Sequence, residues 1–197
     1  MLLLASQSPR RRELLQLLNI PFSIVEIKNV KESYDPTMNP EEVPEYLSRL
    51  KASAYKDFLN DNDVLITADT IVLLEGKILG KPKDEEDAKK MLSNLSGKTH
   101  KVITGVTITT QKTSVTFSSV TEVKFSDLST AEIDYYVSEF KPLDKAGAYG
   151  IQEWIGAVGV ESIDGSFYNV MGLPVHRLYK ELRPFIQDVE SSLHTCT

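Results

Sequence analysis

The sequence predicts an α/β fold in which helices flank an elongated mixed β-sheet around a central cleft. Two observations carry this expectation. Strand-like apolar runs and amphipathic helical stretches mix along all 197 residues with no clean linker between them. A hydrophobic content of 41% is enough for a sizeable core, and the length suits one large domain or two tightly joined lobes. Residues 1–197 are therefore read as a single α/β domain with two lobes around a cleft.

LLLA (2–5) reads as a short buried strand. It feeds a helix in which Ser8 suits the N-cap, Pro9 the first helical position, and Leu14, Leu17 and Leu18 recur at helical spacing until Asn19, Ile20 and Pro21 end it. FSIVEI (22–27) is a second strand, 28–40 is polar and turn-rich, and 40–59 shows helical spacing at Val43, Tyr46, Leu47, Leu50 and Ala54. VLITADTIVLLEGKILGKP (64–82) reads as a long apolar strand, a turn at Glu75-Gly76, a short return strand and a loop. Asp84 caps a helix that runs to Leu95 and closes near Gly97. Residues 99–125, rich in Thr, Val, Ile and Phe, argue a long β-hairpin pivoting on 110–113. A helix opened by Ser129 or Thr130 follows, then glycine-rich loop with short strands over 145–174, and a final helix over 174–189.

The formal net charge of −6 leaves no broad basic surface for a nucleic-acid polymer, so positive charge is local. The single cysteine, Cys196, excludes an internal disulfide and a cysteine-based zinc site. MLLLA is too short for a signal-peptide apolar region, and no apolar run reaches the roughly 18 residues that a bilayer requires. The expectation is a cytoplasmic protein with no membrane partner.

Arg10, Arg11 and Arg12 fall in the first turn of the first helix. Cations are misplaced there, each at a cost of about 0.3–1 kcal/mol, because free N–H groups make a helix N-terminus partly positive. A phosphate held jointly by those N–H groups and the guanidinium forks would offset the repulsion. The alternative is a solvated basic face with Glu13 as local partner. Asp69 interrupts an otherwise apolar strand, and a buried carboxylate must meet a metal, a cation or cleft solvent. Its plain alternative is a structural carboxylate that caps a turn or pairs with a lysine. Lys81 of GKP lies close enough in sequence to the Asp69 strand to neutralise phosphate oxygens, although GKP by itself is a weak signal and a plain surface lysine is the better reading of it. SGKTH (96–100) lacks the upstream glycine of a P-loop, and HExxH, CxxC, GxSxG and GxGxxG are absent.

His100, His176 and His194 show no ligand spacing and read as structural or surface residues. Oxygen ligands such as Asp69 and Glu32 would favour Mg²⁺ or Mn²⁺ over zinc. In KAGAYGIQ, small residues permit close ligand approach, and the Gln152 amide can pair with an imide edge, carried by uracil and thymine but also by guanine and hypoxanthine; a glycine-rich turn with Gln152 bonded to backbone explains the segment equally.

LASQSPRRRELL, VKES, LSRLKA, ADTIV, GKP, LSGKTHKVITGV, LDKAGAYGIQ and GSFYNVMGLP, in this order from about Leu4 to Pro174, resemble the Maf family of nucleotide pyrophosphatases. The resemblance implies a fold akin to the inosine triphosphate pyrophosphatases. It implies a metal-dependent cut between the α and β phosphates of a nucleoside triphosphate, giving monophosphate and pyrophosphate. Asp69 then matches the proton acceptor, Ser8, Arg11 and Arg12 the phosphate motif, Lys51 and Lys81 further phosphate contacts, and Glu32 a second carboxylate at the metal. Arg11, Thr70 and Gln152 match the set of the dTTP/UTP subfamily. Gln7 and VKES depart from the more usual residues of the pattern. Family analogy also admits a homodimer. Two rival readings stand beside this one: a nucleotide-binding regulator of cell division that does not turn over, and a pyrophosphatase for a purine nucleotide such as 7-methyl-GTP or ITP.

Overall fold

A computed structural model describes residues 1–26, 28 and 30–186. Strand β1 (Leu2–Leu4) is buried throughout and lies parallel to both β2 (Phe22–Ile24) and β3 (Val64–Leu74). Between β1 and β2 the chain crosses through α1 (Pro9–Gln16), where the Ser8 side chain accepts from the Arg11 amide as the sequence anticipates. After β3 the pairing is antiparallel, through β4 (Lys77–Leu79), β5 (Thr99–Thr109), β6 (Ser114–Phe125) and β7 (Val160–Asp164). The sheet is thus mixed and seven-stranded, in the order β2-β1-β3-β5-β6-β7 with β4 beside β3. Glu75 and Gly76 both adopt positive φ, +50° and +78°, the conformation that lets a two-residue turn follow the strand twist.

The edges of β3 explain where a cleft can form. One edge is paired with β5 from Leu65 to Leu73. The other is shared by two strands: β1 covers Val64 to Ile66, and β4 covers Val72 to Leu74. Residues 67–71 face no strand there, so polar backbone groups in mid-sheet must find other partners. Side chains alternate along the strand. Val64, Ile66 and Ala68 enter a core with Leu14 and Leu15 of α1 and Leu178 of α7 (Val175–Leu182). On the same face Val72 and Leu74 enter a second core with Leu92 of α3 (Glu85–Leu95) and Tyr136 of α4 (Thr130–Phe140). Ile71 and Leu73 point the other way, onto Val43 and Leu47 of α2 (Val43–Ser53). Thr70 therefore lies between two cores on one face, and Asp69 opens onto α2 on the other.

Helix caps follow the local sequence. Asp84 caps α3 by accepting from the Asp87 amide, and Ser129 with Glu132 forms a reciprocal capping box on α4. Three expectations are corrected. Residues 145–174 hold mainly short helices, including α5 (Trp154–Gly159) and α6 (Phe167–Met171), with β7 their one strand. Burial of Ile155 against Ile133 and Tyr136 overrides the low helix propensity of the glycines. The 40–59 helix is broken into α2 flanked by 3₁₀ turns at Pro40–Glu42 and Lys56–Phe58. The final helix ends at Leu182 in a 3₁₀ turn whose Pro184 has no N–H to continue it. Residues 187–189 of that expected helix, with His194 and Cys196, lie outside the described residues. Among the described residues no helix is long and apolar enough to cross a membrane.

Candidate active site

The gap in β3 opens into a cleft of about 570 Å³, within the size range of small-molecule sites. Its walls are the entry to α1, the 28–34 segment, α2, the loop after β4, and residues 144–152.

Asp69 pairs in register with Gly105 of β5. A Cβ at Gly105 would lie 2.3 Å from the Pro44 backbone, so the glycine lets α2 sit directly on the sheet. The Ser48 hydroxyl fixes this contact by bonding the Glu45 carbonyl and the Thr107 hydroxyl, both at 2.8 Å, while Thr67 donates to the Ser48 carbonyl. Within one further turn of α2, Lys51 Nζ reaches Asp69 Oδ1 at 2.6 Å and Glu32 Oε2 at 3.1 Å. The Asp69 side chain is only 14% exposed, so this ammonium compensates much of the desolvation of the carboxylate.

Arg11 fills the other side of the gap. Its Nη1 donates to the Ala68 carbonyl at 2.9 Å, Nη2 to Thr70 Oγ1 at 2.9 Å and Nε to the Gly172 carbonyl at 2.8 Å. Thr70 Oγ1 is also bonded to the Thr104 hydroxyl at 2.9 Å. Burial lowers the Arg11 pKa, against the pull of Asp69 in the opposite direction, yet a guanidinium keeps its charge in either case. Arg11 thus spends three of its five donors on the scaffold. Arg10 instead ion-pairs with Asp144 at 2.7 Å. Arg12 is exposed beside a shallow groove with Phe22 and Ile24 and does not line the cleft. Successive residues on a helix point about 100° apart, which sends the three arginines to three different surroundings.

Ser8, Arg11, Glu32, Lys51, Asp69, Thr70, Lys81 and Gln152 all line the one cleft; among the site residues expected from sequence, Arg12 alone is not brought there. SGKTH leads into β5 rather than a helix, and its Lys98 pairs with Glu75. His100 is buried and bonded through Nε2 to the Tyr149 hydroxyl at 2.7 Å, a structural histidine as expected. Two cleft lysines went unread in the sequence. Lys28 stacks over the Phe58 ring, 2.7 Å from its centroid, and comes from a segment whose polar composition says only "turn". Lys145 is 7% exposed and ion-paired to Asp144 at 2.7 Å and Glu153 at 3.1 Å. Its position among the small residues of KAGAYGIQ was the available signal, since such a run packs closely around whatever it contains.

A family model described as Maf-like protein matches residues 1–185. The chain belongs to the Maf family. Among curated relatives, one from Phocaeicola vulgatus named dTTP/UTP pyrophosphatase is 54% identical over 182 residues, covering 92% of this chain and 94% of its own. Relatives of the same name from Bacteroides thetaiotaomicron and Porphyromonas gingivalis are each 52% identical, covering 92% and 93% of this chain and 94% of their own. Among solved structures, a nucleoside-triphosphatase / dITP/XTP pyrophosphatase from Mycobacterium abscessus aligns over 64% of this chain and 75% of its own at 12% identity with a TM-score of 0.39, too loose a likeness to argue from.

The donor set of this Maf chain can be tested against the divalent ion expected of it. Among the described residues no three His, Cys, Asp or Glu side chains group as metal ligands. Asp69 and Glu32 are both ion-paired to the one Lys51 ammonium, at 2.6 and 3.1 Å, which brings two carboxylates to the same part of the cleft. Mg²⁺ is commonly held by one or two carboxylates with waters and substrate phosphates, so the donor chemistry of these two hard-oxygen side chains is of the kind that suits Mg²⁺ or Mn²⁺.

Proposed function

We propose that this chain hydrolyses dTTP and UTP, the substrates in the names of its relatives, to the monophosphate and pyrophosphate. The observation that supports this best is Asp69, largely buried in a cleft whose walls carry the cations Lys51, Lys81, Arg10 and Arg11 and the N-terminus of α1 beside the carboxylates Glu32 and Asp144. Asp69 takes the proton of a water whose oxygen bonds to the α phosphorus, and the bond from that phosphorus to the bridging oxygen breaks, releasing pyrophosphate. Lys51, Lys81 and the α1 N-terminus with Ser8 hold the phosphates, since phosphoryl chemistry depends chiefly on positioning and charge neutralisation. Asp69 and Glu32 would hold Mg²⁺ or Mn²⁺, which when bound supplies further neutralisation of phosphate charge. Arg11 acts through Thr70 and the gap it spans, Gln152 reads the imide edge of the base, and Arg12 lies outside the cleft lining.

The place of action in this reading is the cytoplasmic nucleotide pool, where the activity removes unwanted pyrimidine nucleotides. A homodimer is checked by light scattering on the purified protein. The reaction is tested by pyrophosphate release from dTTP, UTP, CTP, 7-methyl-GTP, ITP and dATP with Mg²⁺, Mn²⁺ or EDTA. Metal-dependent turnover concentrated on dTTP and UTP is the expected result. Turnover centred on CTP or dATP, whose bases lack an imide edge, would overturn the role of Gln152; turnover centred on 7-methyl-GTP or ITP would overturn the pyrimidine preference, and binding without turnover would replace the enzyme with a nucleotide-binding regulator.

A further inference from the structure

The Lys51 ammonium sits where a cation shared by Asp69 and Glu32 would have to sit. Its Nζ lies 2.6 Å from Asp69 Oδ1 and 3.1 Å from Glu32 Oε2, and the lysine side chain is only 19% exposed. It is delivered there by a helix seated on the sheet: Gly105 leaves room for the Pro44 backbone, and Ser48 is bonded to Thr67 and Thr107. Arg11 is the next positive charge, attracted to both Asp69 and Glu32 and held in the gap by its bonds to Ala68, Thr70 and Gly172.

An ion held by both carboxylates and an ammonium held by both exclude one another. A bare divalent ion entering the free site would therefore have to push Lys51 off its two carboxylate partners. That would leave an unpaired ammonium beside a dication and Arg11, a repulsion that is strong at short range in a partly desolvated cleft. A nucleoside triphosphate removes the obstacle, because its phosphate oxygens offset the added positive charge and give the displaced ammonium a new partner. We propose that Lys51 is the resident counter-cation of Asp69 and Glu32 in the free protein, so that the divalent ion enters only together with a nucleoside triphosphate. The ligand recognised is then the metal–triphosphate complex, and Lys51 passes from carboxylate to phosphate as it binds. The proposal rests on the reading of Asp69 and Glu32 as the residues that hold the ion.

The test is Mn²⁺ binding to the full-length chain without nucleotide, followed by loss of the paramagnetic resonance signal of the free ion. Lys51→Met keeps the apolar stem and removes the charge, so it should bind Mn²⁺ at least tenfold more tightly than the wild-type chain. The gain should vanish in the double variant Lys51→Met/Asp69→Asn. Lys81→Met removes another cleft cation from outside this ion-paired trio and should bring little gain. An unchanged affinity in Lys51→Met overturns the proposal, as does a gain that survives Asp69→Asn or is matched by Lys81→Met. The wild-type chain gives a second measurement that needs no variant. Mn²⁺ should tighten binding of the α,β-imido analogue of UTP, yet Mn²⁺ alone, at the same concentration, should leave the melting temperature unchanged. A melting temperature raised by Mn²⁺ alone means that the bare ion enters first and overturns the proposal. If Lys51→Met shows no gain while Mn²⁺ still tightens the analogue, the role of Lys51 falls and the metal reading stands. If neither effect is seen, both fall.

Discussion

Asp69 and Thr70 are adjacent in β3 and face opposite sides of the sheet, one toward Lys51 and the other toward Arg11. Substitutions at the two sites should therefore separate chemistry from scaffold. Asp69→Asn keeps the size of the side chain and removes the proton acceptor, so kcat for dTTP should fall by about 10²-fold or more while nucleotide binding persists. Steady-state kinetics beside equilibrium binding reads this, and full activity would assign the base elsewhere. Arg11→Ala strips donors from the Ala68 and Gly172 carbonyls and from Thr70. Leaving such groups unsatisfied should cost about 2–3 kcal/mol in urea unfolding and raise KM besides. A raised KM with unaltered stability would mean that Arg11 serves the ligand rather than the gap.

At the level of elements, the contact of α2 with β5 sets the distance between Lys51 and Asp69. Gly105→Ala would press a methyl against Pro44 backbone that belongs to the first turn of α2 and cannot rotate away. The expected outcome is a loss of about 2–3 kcal/mol, typical of overpacking, together with a fall in kcat as Lys51 moves off the carboxylate. Denaturation midpoints measured with kcat on the same preparation test this. Loss of stability with unchanged kcat would show that the Lys51 contact does not depend on the seating of α2.

For the whole molecule, pH stability depends on a histidine that does not line the cleft but is bonded to Tyr149 of its wall. His100 is buried in T-shaped contact with the Phe125 and Tyr149 rings, and desolvation pushes its pKa down from 6.5 to about 4. The unfolded chain binds this proton below pH 6.5 while the folded chain does not until about pH 4, so stability is fully present above 6.5 and falls through that window. The loss should amount to about 3 kcal/mol. Asp144 acts later. Although burial opposes it, hydrogen bonds from Lys145 and Arg10 hold its pKa down at about 2, so its contribution is lost only below pH 3.8. Unfolding free energies between pH 7 and pH 4 should show the slope, and His100→Asn should flatten it; an equal slope in that variant would assign the protons to other groups.

The sequence by itself determined what depends on near neighbours. Ser8, Asp84 and Ser129 were legible as caps because an N-cap is completed within three residues, and the 99–125 hairpin because alternation and its turn are local. Asp69 stood out because a carboxylate in an apolar strand needs a partner wherever the strand goes. The direction of each arginine, the burial of Lys145, and the helices that form around Ile155 despite the glycines were settled only by the packing of distant segments. The cleft itself belongs to that class. It exists because β1 and β4, more than seventy residues apart, share one edge of β3 and leave five residues uncovered between them, a gap that no stretch of the chain contains by itself.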